Sequence, residues 1–447
     1  MKKHACFLTV LASVMILFAV APAKQHEVAT VLGPNEDLAI EKPETVGVSS
    51  DRLKRLDAAM QRYVDDGKFA GVLTMIARDG KPIHFNTHGY ADKESATPLR
   101  KDTIFRIASL TKQVTSVAIM MLFEEGRFQL DDPVSRYIPE FKNMTVYAGG
   151  TLDNIKTVKP DPELTMRHLL TLTSGLIYGE PGYGDATIVA LYQKADLENP
   201  ARSLREIIQA ISRLPLAYQP GSRFTSGMQH DVLGYLVEIL AGMPFGQFLA
   251  QRIFTPLGMT DTGFYVPADK LARFASMYGP HPKGGLRRID EPRTSSFANP
   301  NRLQSGGGGL VSTARDFMRF AQMILNGGQL DGVRLLSPMT LRLMMTNHLH
   351  PTLAPVPDKY PNEIWNMRGY GYGLGFTVLM DLPKAGSLGS MNQSYLAGGY
   401  NVFAWIDPRE KLISLVWTQF EPFCFYPLHK DFQILTYQSL AESYQQQ

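Results

Sequence analysis

Apolar residues near the start of the chain recur at helical spacing. They lie between Asp51 and Asp66, with Ser50 before the run and Gly67 after it, and they are Leu53, Leu56, Ala59, Met60 and Tyr63. This pattern predicts a helix. Two apolar runs follow, 71–77 and 82–90, separated by Asp79-Gly80. Because Asp-Gly between two such runs is a strong hairpin signal, the helix is predicted to lead into an antiparallel pair of strands.

The middle and the end of the chain have different patterns. Helical spacing, interrupted by glycine and proline, marks 109–125, 165–172, 203–212, 229–241, 244–253 and 312–326. Strands are predicted at 371–380, 400–406 and 412–419, which are rich in β-branched and aromatic residues, and a last helix at 428–444. Strand-rich ends around a helical middle indicate an α+β fold. We expect one antiparallel sheet built from both termini and flanked by helices, plus an inserted, mostly helical lobe at about 109–326.

The first 23 residues have the features of a secretory signal peptide. Lys2 and Lys3 precede an apolar run, and the triplet 21–23, Ala-Pro-Ala, fits a cleavage site. A retained membrane anchor is the alternative, since the run approaches the ~17 residues that can span a bilayer. We expect cleavage, and therefore a periplasmic or secreted protein. Residues 24–47 are predicted to form an extended tether before one domain at 48–440, with sheet parts at about 48–100 and 365–440.

Composition narrows the classes of protein to consider. The chain has 447 residues, of which 44% are hydrophobic and 19% charged, so a large buried core is expected. The 45 basic and 42 acidic residues nearly balance, and the lysines and arginines form no basic stripe along the sequence. Both observations argue against a nucleic-acid partner. Outside the leader the chain has one cysteine, Cys424, so no intrachain disulfide is possible, and we interpret it as a small buried residue.

Ser109 and Lys112 are the first candidates for chemistry. They begin a predicted helix, and residues three apart on a helix share a face, so the lysine amine can reach the serine hydroxyl. A lysine can take the proton of a serine if burial or positive potential lowers its pKa, and the helix N-terminus supplies such potential together with free N–H groups. The pair therefore predicts an activated nucleophile. The simpler alternative is that both residues belong to an ordinary amphipathic helix.

Seven blocks carry a resemblance to a known superfamily. In family order they are 105–112, 167–176, 220–224, 231–234, 256–262, 307–314 and 405–408. With these blocks the chain resembles the serine β-lactamase and penicillin-binding-protein superfamily, and within it the class C-like esterases and related acyltransferases. The resemblance covers about residues 48 to 440. It implies the β-lactamase/transpeptidase-like fold and a covalent acyl-serine mechanism, with Ser109 as nucleophile and Lys112 as its base.

The same resemblance assigns the oxyanion hole and the third motif. The oxyanion would be held by the backbone N–H of Ser109 and by that of Gly399, and the motif itself would be Leu396-Ala397-Gly398, with Tyr400 also at the substrate. A register shifted by one residue is the alternative. Relatives that act on antibiotics or peptidoglycan carry Lys or His at the position of Leu396, and a leucine cannot bind a carboxylate. We therefore expect ester cleavage or acyl transfer in preference to antibiotic hydrolysis.

The second motif departs from the family. Where relatives have a catalytic tyrosine, this chain has Ser226-Gly227-Met228. In one hypothesis Ser226 relays the proton. In a second, another hydroxyl does so: Tyr218, Tyr400 or the tyrosine of Tyr360-Pro361-Asn362. In a third, the site is impaired and the protein binds a ligand without turning it over.

The sequence thus predicts a serine hydrolase that cleaves or transfers acyl groups of small esters or amides through acyl-Ser109. One alternative is an impaired homologue that binds a cell-wall fragment or an acyl ligand. Another is a β-lactamase or D-Ala-D-Ala carboxypeptidase-type peptidase. No cofactor or metal is implied. We expect a monomer, with no membrane contact beyond a possible N-terminal anchor.

Overall fold

The strands and helices below belong to a computed structural model, which describes residues 39–353 and 367–444. In chain order its strands are β1 Gly71–Arg78, β2 Lys81–Asp92, β3 Thr97–Pro98, β4 Ile104–Arg106, β5 Val146–Thr151, β6 Asn154–Val158, β7 Met277–Pro280, β8 Leu286–Asp290, β9 Val311–Thr313, β10 Gln329–Leu330, β11 Val333–Arg334, β12 Tyr370–Tyr372, β13 Thr377–Leu379, β14 Ser394–Gly398, β15 Val402–Asp407 and β16 Leu412–Trp417.

Helices account for most of the remaining regular structure. The α-helices are α1 Ser50–Asp65, α2 Thr111–Glu124, α3 Met166–Leu170, α4 Ala186–Lys194, α5 Leu204–Ile211, α6 Gln229–Ala241, α7 Phe245–Leu249, α8 Ala314–Leu325, α9 Pro338–Met344, α10 Leu382–Ala385 and α11 Leu428–Tyr437. Short 3-10 turns occur at Pro43–Val46, Ala108–Leu110, Val134–Arg136, Pro139–Asn143, Ala268–Arg273 and Ser296–Ala298, and α7 continues into one π-helical turn, Ala250–Phe254.

The central sheet joins the two ends of the chain, which confirms the predicted fold class. Its six strands lie in the order β14-β15-β16-β1-β2-β3, and neighbours are antiparallel. Side chains alternate across it, since successive residues of a strand point to opposite faces. In β1, Leu73 and Met75 pack into the core shared with the helical lobe, whereas Val72 and Ile76 pack against the layer that contains α1 and α11. Helices thus cover both faces of the sheet.

The chain around the ends of the central sheet differs from its prediction in two places. The predicted signal peptide and most of the predicted tether lie outside the described residues, but Glu41 donates a backbone hydrogen bond to Pro82 at 2.8 Å and Val46 is buried. The last residues of the predicted tether are therefore part of the domain. The strand predicted at 371–380 is a short hairpin, β12 and β13, because Gly375 turns the chain at a φ of 89°.

The middle of the chain is less purely helical than predicted. Two hairpins interrupt it, β5 with β6 and β7 with β8. The predicted helix at 312–326 begins only at Ala314, because β9 pairs with β4 and the Thr313 hydroxyl caps the helix by accepting a hydrogen bond from the backbone N–H of Asp316. Over the described residues no single helix has the length and apolarity needed to cross a membrane. One pair, α6 and the helical segment Phe245–Phe254, passes that test only when taken together across a 78° bend.

A buried ion pair ties the first strand of the sheet to the turn between β15 and β16. The guanidinium of Arg78 lies 2.6 Å from the Glu410 carboxylate, and the two side chains are 0% and 3% exposed. Arg78 also donates to the backbone carbonyl of Val46 at 2.9 Å, and the ring of Tyr444 covers its guanidinium at 4.3 Å. The pair therefore links three chain segments that are distant in sequence.

Replacing Arg78 by methionine should lower the free energy of unfolding by about 3–5 kcal/mol, because the carboxylate of Glu410 would stay buried without its partner. Urea denaturation measures this change. Lys411→Met is the matched control, since the Lys411–Asp79 pair is 56% and 42% exposed and an exposed pair contributes little. Equal losses in the two variants would contradict the prediction.

Candidate active site

Ser109 lies in the 3-10 turn Ala108–Leu110 that leads from β4 into α2. The residue before it, Ala108, has a φ of 44°, a left-handed conformation that is rare for alanine and common where a backbone is held in a strained shape. One helical turn later, Lys112 lies on the same face of the chain. The distance from Lys112 Nζ to Ser109 Oγ is 2.9 Å, so the structure brings the predicted pair into direct contact.

Lys112 is buried, and its amine has three hydrogen-bond partners. Besides Ser109 Oγ, the amine contacts the Tyr178 hydroxyl at 3.1 Å and donates to the Gly307 carbonyl at 2.7 Å. Burial lowers the pKa of Lys112 to about 8, although the negative charges of Asp231 and Glu198 act in the opposite direction. A lysine with this pKa exchanges its proton near neutral pH, which an exposed lysine does not do.

Tyr178 is the residue that sequence reasoning missed. It lies in the loop after α3, two residues beyond the matched block 167–176, and its hydroxyl contacts the Lys112 amine. Burial, followed by the negative charges of Asp231 and Glu198, raises the pKa of Tyr178 well above its ordinary value, so the phenol stays protonated. Its nearness to the matched block was a usable signal, although the sequence hypotheses named Ser226, Tyr218, Tyr400 and the tyrosine of Tyr360-Pro361-Asn362 instead.

Ser226 lies next to Tyr178. Its hydroxyl hydrogen-bonds the phenol, and it lines the same cavity as Ser109. Gly227 makes this arrangement possible, because a Cβ at that position would lie 2.5 Å from the backbone carbonyl oxygen of Leu176. The geometry thus places a tyrosine from another loop against the lysine, with Ser226 as its neighbour. Whether Ser226 itself relays a proton stays a prediction.

The other hydroxyls considered from the sequence lie in different surroundings. The Tyr218 hydroxyl donates to the backbone carbonyl of Tyr183 at 3.2 Å, and the guanidinium of Arg223 lies over the Tyr218 ring at 4.7 Å. Tyr400 is half-buried and lines the cavity. The Tyr360-Pro361-Asn362 match lies outside the described residues. Tyr178 is therefore the phenol that the structure brings to the Lys112 amine.

The predicted third motif lies beside the serine turn. A Cβ on Gly398, at the end of β14, would lie 2.5 Å from the carbonyl oxygen of Ile107, so the strand end and the turn pack backbone against backbone. Gly399 follows and lines the cavity, with no described heavy atom within 4 Å of where its Cβ would be. Leu396 is buried and Ala397 half-buried, and both also line the cavity. Leu396, Ala397 and Gly399 thus line the same cavity as Ser109, and the roles of the motif residues remain predictions.

These groups face one cavity of about 800 Å³, large enough for a drug-sized molecule. Its walls are mainly apolar and aromatic, and they include Leu172, Phe224, Tyr372, Leu396, Phe297, Leu303, Phe423 and Phe425. Charged side chains also reach it: Glu180, Glu198, Arg223, Arg302 and Glu421. Within residues 39–353 and 367–444, no group of three or more His, Cys, Asp or Glu side chains is arranged to hold a metal ion.

A serine paired with a buried lysine at a helix start, beside the edge strand of an antiparallel sheet, defines the active-site class of serine hydrolases with the β-lactamase fold. The chain matches the Beta-lactamase family over residues 56–434, and it belongs to that family. Its relatives place it among the esterase-type and acyl-transferring serine hydrolases of this fold.

Three known proteins illustrate the relationship. Protein Rv1367c of Mycobacterium tuberculosis is 36% identical over 376 residues, which cover 82% of this chain and 89% of the relative. Esterase EstB of Burkholderia gladioli is 31% identical over 379 residues, covering 81% of this chain and 88% of EstB. Among solved structures, EstCE1, a hydrolase with promiscuous acyltransferase activity, superimposes with a TM-score of 0.72 at 26% identity, covering 88% of this chain and 98% of EstCE1.

Proposed function

We propose that this protein cleaves or transfers the acyl group of small uncharged esters through a covalent acyl-Ser109 intermediate. The observation that carries the proposal is the hydrogen-bonded series Ser109–Lys112–Tyr178 at the wall of the 800 Å³ cavity. Similarity to an esterase and to a hydrolase with acyltransferase activity supports the same reaction class.

Acylation follows from the contacts of Ser109. Neutral Lys112 accepts the Ser109 proton while Oγ attacks the ester carbonyl, and the backbone N–H groups of Ser109 and Gly399 stabilise the resulting oxyanion. The C–O bond to the alcohol then breaks. The departing alkoxide takes a proton from Tyr178, which is replenished by the Lys112 ammonium at 3.1 Å. Ser226 orients the phenol through its hydrogen bond.

Deacylation reverses these steps with a new acceptor. A water molecule or an alcohol gives its proton to the Tyr178–Lys112 pair as it attacks the acyl carbonyl, and Ser109 Oγ leaves with the proton it had lost. Water yields hydrolysis and an alcohol yields transfer. The apolar cavity walls favour organic acceptors over water, because they bury the apolar surface of the acceptor.

The absence of a cation at the third motif favours esters over β-lactam antibiotics as substrates. Leu396 offers no charge to the carboxylate of a β-lactam. We expect kcat/KM for p-nitrophenyl butyrate to exceed that for benzylpenicillin or nitrocefin by at least about 10-fold, since a charge-assisted hydrogen bond contributes about 1.5–3 kcal/mol. Faster turnover of either β-lactam would favour the β-lactamase or peptidase alternative.

The pH dependence of kcat/KM should follow the protonation state of Lys112. The lysine must be neutral to accept a proton, and it is protonated below its pKa of about 8. We therefore expect kcat/KM to fall about tenfold per pH unit below pH 7 and to level off above pH 9. A pH–rate profile with p-nitrophenyl butyrate measures this. A profile that is flat between pH 6 and 8 would exclude Lys112 as the base.

The binding-protein alternative was motivated by the lack of a tyrosine at position 226. Tyr178 supplies a phenol within hydrogen-bonding distance of Lys112, so this alternative loses its main support. Reaction of the purified protein with a fluorophosphonate, followed by intact-mass spectrometry, separates the two. Complete labelling favours the enzyme, and no labelling under conditions where a related esterase reacts fully favours the binder.

We further propose that the protein is exported, as the basic start and apolar run of residues 1–23 suggest. Mass spectrometry of the protein from its native host tests this. A mature N-terminus near Lys24 supports cleavage and export, whereas an intact Met1 recovered with membranes supports the anchored form.

A further inference from the structure

A buried carboxylate is connected to the Ser109–Lys112 pair through one intervening residue. Asp231 lies in the first turn of α6 and is 1% exposed. Its carboxylate accepts hydrogen bonds from the backbone N–H of Gly307 and from the Ser305 hydroxyl. The carbonyl of the same Gly307 accepts from Lys112 Nζ at 2.7 Å. A single residue therefore connects the carboxylate to the amine, through its N–H on one side and its carbonyl on the other.

The packing of this turn leaves no room for a side chain at position 307. A Cβ on Gly307 would lie 2.9 Å from Asp231 Oδ2 and 3.3 Å from the Tyr178 hydroxyl. The second carboxylate oxygen, Asp231 Oδ1, is buried and has no hydrogen-bond partner among the described atoms. Burial raises the pKa of Asp231, whereas the hydrogen bond from Ser305, the positive charge of Lys112 and the hydrogen bond from Gly307 act in the opposite direction.

Other charged and titratable groups also face Lys112. Glu198, from the loop before α5, acts on the amine in the same direction as Asp231 but more weakly. Tyr178 contributes a neutral phenol. His230, beside Asp231 in α6, is fully buried, and desolvation and the charge of Lys112 keep its pKa well below the ordinary value, so it is neutral. Asp231 is thus the strongest electrostatic partner of the amine.

We propose that Asp231 is a positioning residue that holds the Gly307 carbonyl against Lys112 and sets the pH range in which the amine can accept the serine proton. This inference rests on the role proposed above for Lys112. Burial alone would weaken the lysine as a base, since a strongly desolvated amine binds protons poorly. The carboxylate counteracts this effect and keeps the amine basic enough to deprotonate a hydroxyl.

The first test is Asp231→Asn, which keeps the size of the side chain and removes its charge. The readout is the second-order rate constant for labelling of Ser109 by a fluorophosphonate. Measuring it from pH 5 to 10 gives a pH profile. We expect the acid limb of this profile to move to lower pH by about one unit, because a negative partner no longer favours the protonated amine. We also expect the plateau to fall by about 10-fold or more, with KM for p-nitrophenyl butyrate little changed, because a displaced catalytic group costs rate more than binding.

A pair of adjacent glycines gives a second test that does not depend on the folding of Asp231→Asn. Gly307→Ala would force a methyl group against Asp231 Oδ2, whereas a Cβ on Gly308 meets its first neighbour at 3.8 Å, an ordinary contact. Gly307→Ala should lower the labelling rate by about 10-fold or more. Gly308→Ala should stay within about threefold of the wild type.

The outcomes separate this inference from the proposed function. If wild-type Ser109 is not labelled at any pH, the proposed function fails. If it is labelled but Asp231→Asn keeps the wild-type acid limb, the electrostatic role of Asp231 is wrong. Equal rates for Gly307→Ala and Gly308→Ala would overturn the positioning role. A loss of thermal stability in Asp231→Asn without any shift of the limb would make Asp231 a purely structural residue.

Discussion

Replacing Ser109 by alanine should abolish ester turnover. We expect kcat to fall by roughly 10⁴- to 10⁶-fold, because the covalent route is lost and only binding and oxyanion stabilisation remain. The variant should fold like the wild type, since the change removes one oxygen atom from a side chain that lines a cavity. The measurement is kcat for p-nitrophenyl butyrate together with intact mass after exposure to a fluorophosphonate.

Ser222→Ala is the control for this experiment. The Ser222 hydroxyl is exposed and donates to the carbonyl of Gln219 at 2.7 Å, away from Lys112. This variant should keep the wild-type rate and the full mass increase of labelling. Labelling that persists in Ser109→Ala would mean that another residue is the nucleophile, and the acyl-Ser109 mechanism would be abandoned.

Replacing Tyr178 by phenylalanine should lower kcat by about 10²- to 10⁴-fold, the usual contribution of a positioned proton-transfer group. The ring and its packing against Tyr183, with ring centroids 5.3 Å apart, would be kept, and only the hydroxyl at 3.1 Å from Lys112 Nζ would be lost. KM should change little, because the proton is transferred in the transition state and not in the bound substrate complex.

Two further variants decide which hydroxyl carries the proton. Ser226→Ala should cost about 10-fold, since it removes a hydrogen bond that orients the phenol. Tyr218→Phe should have no measurable effect, because its hydroxyl contacts the carbonyl of Tyr183 and not the lysine. If Ser226→Ala lost as much activity as Tyr178→Phe or more, Ser226 would be the relay, as the sequence hypothesis had it.

The Tyr178→Phe variant also bears on the choice between hydrolysis and acyl transfer. In both directions the proposed route passes a proton through the Tyr178–Lys112 pair, so the loss of the phenol should slow cleavage of the ester and transfer of its acyl group to an alcohol by similar factors. An unequal loss would show that water and alcohol reach the acyl-enzyme with different proton acceptors.

Local patterns were sufficient for much of the fold. The spacing of apolar residues placed α1 and α6 within one residue of their ends, and Asp79-Gly80 marked the turn between β1 and β2. These features depend on contacts between neighbours in the sequence. The short hairpins β5–β6 and β7–β8 were missed because β6 and β8 are largely exposed and their sequences lack a clear alternation of apolar and polar residues.

The contact of Ser109 with Lys112 was determined by the sequence itself, because three residues of helix bring the two side chains to one face. The tertiary structure alone decided which other groups surround Lys112. Tyr178 comes from the loop after α3, Asp231 from α6 and Gly307 from the turn before β9, and no local pattern relates the three. They lie around Lys112 because the helical lobe packs against the start of α2. The burial that results from this packing lowers the pKa of the lysine.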